Sequence, residues 1–378
     1  MEANREIWSG RNVCVTGGTG FLGYQVAGLL ARLGAKVRVL ALPTARPHPV
    51  QIDHDGVIEC VFGDVRDADT VRRALGDSEF VFHTAGLVSV WPERPEPMYR
   101  VHVEGTANVL EAAARVGARV IQTSSIVTVG ASRRPDLLDE DASFELDQLR
   151  VDYVHAKRAS ERLALEAAAN GGDVVVANPG YMVGPEDHGR SVMGRFCLRF
   201  WKGRVPITPP GGFNLVDVRD VALGLILAAE RGQSGRRYIL GGENLDFRAF
   251  HAVLAQVAGL KPRAAPIVPW WSLAMLSSLS EARARFTGKE PYPSFQHVLL
   301  NRYYWFYRSD RATNELGFRP RPIEISLAEA HAWHSARHGL KLGKINSWWM
   351  RPPKIMNDSL RARERERVVP QPHRASST

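Results

Sequence analysis

Thr16-Gly17-Gly18-Thr19-Gly20-Phe21-Leu22-Gly23 follows directly on the apolar run 12–15. Its glycines fall at 17, 20 and 23, where an extended run hands over to the helix-patterned stretch 21–33. Gly17 permits a tight turn. Gly20, without a Cβ, lets a pyrophosphate come up to the backbone. Gly23 lets the helix lie close on a sheet. The first N–H groups of that helix then face the phosphates, with the helix dipole behind them. Glycine-rich turns also serve plain chain reversal. Here a second strand-like run at 36–42 completes the context that dinucleotide binding requires.

Working outward, strand patterns stand at 12–16, 36–42, 58–62, 80–84, 119–123 and 173–178. Helix patterns at 21–33, 68–74, 99–116 and 152–170 lie between them. Short β-branched runs separated by helices imply right-handed βαβ units and a parallel sheet. The expected class is α/β: a Rossmann-type doubly wound parallel sheet with a smaller, mostly helical substrate lobe. After Gly184-Pro185 the pattern loosens, with strands expected at 215–218 and 237–240 and a helix at 221–231. The dinucleotide domain is assigned to 10–185 and 213–245, and the lobe to 186–212 and 246–340. Ligands of open α/β sheets bind at the carboxyl ends of the strands, where such a lobe would drape.

The 378 residues are 44% hydrophobic and 24% charged, an ordinary globular balance with ample core. Cys14, Cys60 and Cys197 are far apart and have no zinc-ligand spacing, which argues against disulfides and structural zinc. No metal site is expected. Residues 1–11 are polar and do not read as a signal peptide, and no run of 18 apolar residues exists. A cytoplasmic location is the expectation. Net charge is +9, and 351–378 carries seven Lys/Arg against three Asp/Glu. Residues 341–378 read as a basic, disordered tail. No basic folded face with groove-reading elements is evident, so nucleic acid is not an expected partner.

Tyr153 and Lys157 stand at i and i+4, on one face of the helix at 152–170. A free tyrosine, with a pKa of about 10, is a poor acid/base at neutral pH. A lysine ammonium one turn away favours the phenolate and can also hold a ribose hydroxyl. Ser124-Ser125 ends the fifth strand and offers a hydroxyl to a substrate oxygen. Together these residues suit proton transfer at a carbonyl/alcohol centre beside a hydride donor.

These features resemble the extended short-chain dehydrogenase/reductase family over about residues 10–335. The resemblance rests on the glycine loop, Gly63-Asp64-Val65, Phe82-His83-Thr84-Ala85-Gly86, Val103-Glu104-Gly105-Thr106, Ser124-Ser125, Tyr153/Lys157, and Asn178-Pro179 with Gly184-Pro185. It implies catalytic Ser125, Tyr153 and Lys157, the serine counted back five from Gly130. It also implies cofactor contacts at Gly17, Gly20, Phe21, Leu22, Gly23, Asp64, Val65, Ala85, Gly86, Tyr153, Lys157 and Pro179. Asp64 would hold the adenine, and Pro179 would flank the nicotinamide. Leu215-Val216-Asp217-Val218-Arg219-Asp220, Phe286-Thr287-Gly288-Lys289-Glu290-Pro291 and Ser309-Asp310-Arg311-Ala312 resemble the dihydroflavonol-reductase-like group. That group includes hopanoid-associated sugar epimerase homologues and relatives of 3β-hydroxysteroid dehydrogenases. Relatives often dimerise through the helices at 99–116 and 152–170, which implies a homodimer.

Three departures stand out. His102 replaces a usual Asn, Asp217 replaces a frequent His, and Phe213 stands where sugar-nucleotide members carry a diphosphate-clamping Arg. Arg195, Arg199 and Arg204 are nearby substitutes for that clamp. Residues 37–50 hold no Asp or Glu to meet a ribose 2′-hydroxyl, and Arg38 and Arg46 are the nearby bases. That favours NADP over NAD.

The aromatic stretches 270–276, 303–307 and 348–349 read first as lobe core. Their other readings are a wall for a hydrophobic substrate or, with the basic tail, a peripheral membrane face. His331 and His334 read as helix surface.

The leading function is hydride transfer between nicotinamide and a ketone, aldehyde or secondary alcohol on a bulky apolar molecule. A nucleotide-sugar epimerase or dehydratase with tightly held NAD is the alternative. A non-catalytic dinucleotide sensor is the third reading, disfavoured by the intact Ser/Tyr/Lys set.

Overall fold

The computed structural model describes residues 3–43, 58–88, 95–188, 191–205, 207–260, 266–288 and 291–340. Arg46, Trp348, Trp349 and the tail assigned to 341–378 lie outside them.

The strands are β1 (Asn12–Thr16), β2 (Lys36–Ala41), β3 (Ile58–Phe62), β4 (Phe80–His83), β5 (Arg119–Thr123), β6 (Val174–Pro179), β7 (Tyr181–Val183), β8 (Gly212–Asp217), β9 (Arg237–Leu240), β10 (Glu243–Asp246) and β11 (Tyr304–Trp305). The helices of the first half are α1 (Arg5–Trp8), α2 (Phe21–Arg32), α3 (Ala68–Leu75), α4 (Pro95–Tyr99), α5 (Gly105–Val116) and α6 (Asp152–Ala169). Those of the second half are α7 (Val192–Trp201), α8 (Val218–Arg231), α9 (Phe247–Val257), α10 (Trp270–Thr287), α11 (Phe295–Leu300) and α12 (Ile323–His338).

Seven strands form one parallel sheet in the order β3-β2-β1-β4-β5-β6-β9. The β-branched runs Val13–Val15 and Val174–Val176 are buried on both faces, as a doubly covered parallel sheet demands. Val26 and Leu30 of α2 pack with Leu225 and Ala229 of α8 in one apolar cluster. Val71 and Leu75 of α3, Val109 and Ala113 of α5 and Ala164 of α6 fill another. The chain order reverses between β1 and β4, so the ligand crevice of this fold opens at the carboxyl ends of those two strands. Cys14 is a fully buried core residue of β1.

The segment at 215–218 behaves differently from its neighbours in the first sheet. β8 pairs with β7, β10 and β11 in a separate four-stranded sheet. That sheet and α7, α9 and α12 enclose a second core that includes Phe213, Phe250, Trp305 and Leu327. Trp305 and Tyr307 are buried, so the 303–307 stretch is lobe core. The 270–276 stretch is not: on α10 only Leu273, Ser277 and Ala284 are buried. His331 and His334, read as helix surface, are buried instead. Their rings lie 4.8 and 5.8 Å from that of Trp201, which covers this side of α12.

The helix expected at 99–116 is broken into α4, a π-helical turn at Arg100–Glu104, and α5. The wider turn brings the His102 side chain into the interior.

Candidate active site

The glycine loop is a cradle in which side chains would collide. Gly17 has φ +69°, and a Cβ there would stand 2.7 Å from the Ala85 Cα. A Cβ on Gly23 would stand 2.6 Å from the Thr84 Oγ1, and one on Gly18 would meet Val39. Gly20 caps α2 without any side-chain hydrogen bond, and the first turn of α2 holds no acid. A 12-residue helix therefore presents bare N–H groups and an uncompensated positive dipole end to the crevice. This donor set, beside a backbone that leaves no room for Cβ atoms, fits a dinucleotide pyrophosphate.

Across the reversal, Ala85 and Gly86 follow β4. The Ala85 N–H donates to the Thr16 hydroxyl at 3.2 Å. A Cβ on Gly86 would meet the His102 ring at 2.9 Å. Asp64 and Val65 follow β3. The Asp64 carboxylate holds the Arg66 guanidinium at 2.6 Å, and this hydrogen bond lowers its pKa. Val65 is buried beneath Gly105, and Pro179 ends β6 as a buried residue.

Arg38 does not reach this site. It is the third residue of β2, paired with Cys14 well before the glycine loop. Its guanidinium holds Glu59 at 3.0 Å and the carbonyls of Ala74 and Leu75 at 3.4 Å, at the carboxyl end of α3. A cation there complements the helix dipole, at the opposite end of the sheet from the loop. Leu42, just past the end of β2, is half exposed and offers no charge.

The two serines after β5 are distinct. Ser124 is buried, its N–H bonded to the Ala177 carbonyl at 2.7 Å. Ser125 opens the 3₁₀ turn Ile126–Thr128, where its hydroxyl accepts from the Val127 N–H at 3.3 Å and stands near enough to the Tyr153 phenol to pull its pKa down. The Ser125 carbonyl accepts from Asn178 Nδ2 at 3.1 Å. The Tyr307 hydroxyl donates to the Ile126 carbonyl at 2.9 Å, so the second lobe also pins this loop.

Tyr153 and Lys157 share a face of α6. Burial pushes the Tyr153 phenol up to about 12, against the pull of the Ser125 hydrogen bond. Burial brings the Lys157 ammonium down to about 8, opposed by the Glu161 carboxylate one further turn along. Lys157 Nζ donates to the Thr123 carbonyl at 2.9 Å. The side of the tyrosine toward β4 is closed by His102, ring to ring at 6.0 Å and edge-on. His102 Nε2 donates to the Leu87 carbonyl at 3.0 Å, and burial holds its pKa near 3, so the ring is neutral.

Two supports escaped the sequence reading. Glu161 accepts from Thr128 Oγ1 and Asn178 Nδ2, each at 2.7 Å, and from Arg237 at 3.3 Å. Its signal was helix phase: Tyr153, Lys157 and Glu161 stand at i, i+4 and i+8. Beneath the cradle, His83 bridges the Thr16 hydroxyl at 2.7 Å and that of Thr106 at 3.1 Å. Thr106 meets Ser160 of α6 at 2.8 Å. The glycine loop and the tyrosine helix are thus joined by one buried polar chain.

Phe213 is no clamp for a diphosphate. It is buried among Phe247, Phe250 and Tyr181, with ring centroids 4.8 to 5.5 Å away. Of the substitutes named for it, Arg199 stacks on Tyr292 at 3.5 Å. Asp217 caps α8 and holds Arg219 at 2.6 Å, a structural role. Among the described residues no cluster of three or more His, Cys, Asp or Glu could hold a metal.

Residues 13–241 match the NAD dependent epimerase/dehydratase family. The protein named "Putative dihydroflavonol 4-reductase" of Synechocystis sp. is 34% identical over 344 residues, which cover 90% of this chain and 98% of that protein. Sterol demethylase protein B of Methylococcus capsulatus is 32% identical over 327 residues, 85% of this chain and 98% of that protein. The crystal structure of gox2253 is similar with a TM-score of 0.75 and 33% identity, over 87% of this chain and 99% of that one. The glycine cradle, the Ser125–Tyr153 pair and the buried lysine thus sit in a chain that belongs to the NAD dependent epimerase/dehydratase family, within the extended short-chain dehydrogenase/reductases.

Proposed function

We propose that this protein is an NAD(P)-dependent oxidoreductase. It interconverts a ketone or aldehyde with the corresponding alcohol on a bulky, apolar molecule. The observation that carries the reading is the Lys157 Nζ bond to the Thr123 carbonyl at 2.9 Å, which fastens the helix face carrying Tyr153 and a buried lysine to the strand end that Ser125 follows. A bound nicotinamide supplies or accepts the hydride. Tyr153 Oη exchanges the proton with the substrate oxygen, and the Ser125 hydroxyl donates to that same oxygen and orients it. The Lys157 ammonium favours the phenolate when the proton leaves. His102, neutral and buried, walls the tyrosine on one side and keeps water from it.

The apolar substrate class is supported by Phe213, buried in an aromatic cluster where a diphosphate would need a cation. The names of two relatives, sterol demethylase protein B and 3 beta-hydroxysteroid dehydrogenase type 7, point the same way. The preference for NADP over NAD now rests on Leu42, since an acid past β2 would repel a 2′-phosphate and none stands there.

Native mass spectrometry of the desalted protein tests the reading. The expected result is empty protein that takes up NADPH reversibly, more tightly than NADH, and then reduces hydrophobic ketones. Stoichiometric NAD retained through desalting would overturn it in favour of epimerase or dehydratase chemistry.

A further inference from the structure

α10 is apolar on the side that faces away from the protein. Leu273, Ser277 and Ala284 are its buried residues. On the opposite side stand Trp271, Met275, Leu279 and Phe286, exposed by 60%, 69%, 70% and 91%. At 3.6 residues per turn these four fall within about 80° of one another. An apolar helix stripe normally lies against a partner, and this one faces outward.

The charges around the stripe choose its occupant. Arg283 and Arg285 border it on either side, and it holds no acid. Glu281, the acid of α10, is turned to the protein, where it accepts from the Phe295 N–H at 2.7 Å. At the amino end of the helix, Trp270, Ile267, Arg133 and Arg302 line a cavity of about 460 Å³. There the Arg302 guanidinium lies 4.3 Å from the Trp270 ring centre and that of Arg133 5.7 Å from Tyr303. No carboxylate among the described residues pairs with either arginine. A second copy of the stripe would bring more arginines and no acid to meet them. An anionic bilayer offers hydrocarbon for the stripe and phosphates for the arginines, and tryptophan favours the headgroup level.

We propose that the outer face of α10 docks on an anionic lipid surface, with Trp271, Met275, Leu279 and Phe286 inserted between headgroups and Arg283 on their phosphates. The contact is peripheral, since no helix among the described residues is long and apolar enough to cross a membrane.

The test is co-sedimentation of the full chain with phosphatidylcholine vesicles containing about 30% phosphatidylglycerol, and with phosphatidylcholine alone. The protein is expected to pellet with the anionic vesicles and to be released by salt. The combined variant Trp271→Ser, Met275→Ser, Leu279→Ser and Phe286→Ser is expected to bind at least about tenfold more weakly. Because these side chains face outward, its thermal midpoint and cofactor binding are expected to hold. Arg283→Gln should weaken binding to the anionic vesicles and flatten the salt dependence, again with the fold intact. Failure to pellet with either vesicle would overturn the proposal. So would pelleting that the apolar variant leaves unchanged, which would assign the attraction to another basic surface. A dimer in sedimentation equilibrium that the same variant dissociates would give the face to a second copy instead.

Discussion

Lys157 Nζ donates to the Thr123 carbonyl at 2.9 Å, which fastens the ammonium to the last residue of β5, one turn from Tyr153. Ser124 and Ser125 follow Thr123 directly. Strand end, serine and helix are therefore one rigid unit, and the charge on Lys157 is set by what surrounds that unit. Burial draws its pKa to about 8, and Glu161 opposes the fall.

The first prediction concerns pH. Lys157 is charged below about 8, so a rate that needs its ammonium falls as pH rises through that value. Glu161→Gln removes the opposing charge, and the alkaline limb of kcat/KM should move down by roughly one unit. The limb is read from pH profiles of both proteins. An unmoved limb would show that Lys157 does not set it. The same group gives a stability signature. Its folded pKa is below the ordinary 10.5, so the unfolded chain binds more protons between about 8 and 10.5, and this group's contribution to stability rises with pH there.

Tyr153→Phe removes the phenol hydroxyl and keeps the ring beside His102. Turnover should drop by about 10²–10⁴-fold, the usual worth of a positioned proton donor. The dissociation constant for NADPH should stay within about threefold, because the glycine cradle is untouched. Turnover is followed by nicotinamide absorbance and affinity by fluorescence titration. Near-normal turnover would remove Tyr153 from the chemistry.

Acid should loosen the site before the rest of the molecule. Burial takes His83 and His102 to about 3, below the ordinary 6.5, with the Lys157 charge adding to it. Both are neutral in the folded chain and charge readily in the unfolded one. Their contribution is complete above about 6.5 and is lost as pH falls toward 3. Denaturant midpoints measured from pH 7 to 4 should fall steadily. His102→Asn, the residue usual in the family, should flatten the slope, and an unchanged slope would show that His102 is not part of it.

Much of this was legible in the chain. Of the six expected strands of the parallel sheet, five are apolar runs whose burial on both faces leaves little ambiguity, β3 at the sheet edge is the more exposed sixth, and Gly17, Gly20 and Gly23 fix the turn between β1 and α2. The second sheet was not legible, because β7, β10 and β11 are two to four residues long and find β8 only through long-range pairing. Arg38 misled for a related reason. A strand's alternation tells which face a side chain takes and says nothing about which end of the sheet its long stem will reach. His102 was noted as a departure, yet its place beside Tyr153 depends on a π-helical turn that has no local sequence signature. The 270–276 stretch reads first as core because its composition is that of core. Only the packing shows which half is covered.

Gly17 allows a comparison that separates shape from backbone strain. Gly17 and Gly117 share φ +69°, but a Cβ on Gly117 meets nothing within 4 Å while one on Gly17 overlaps Ala85. Gly117→Ala should cost about 1–3 kcal/mol from the left-handed backbone alone and leave NADPH affinity unchanged. Gly17→Ala carries the same strain and also forces the loop away from Ala85, so it should unfold at a lower temperature still and bind NADPH at least about tenfold more weakly. Thermal midpoints with and without NADPH give both quantities. Equal ligand-induced shifts in the two variants would mean that the closeness of Gly17 to Ala85 plays no part in holding the cofactor.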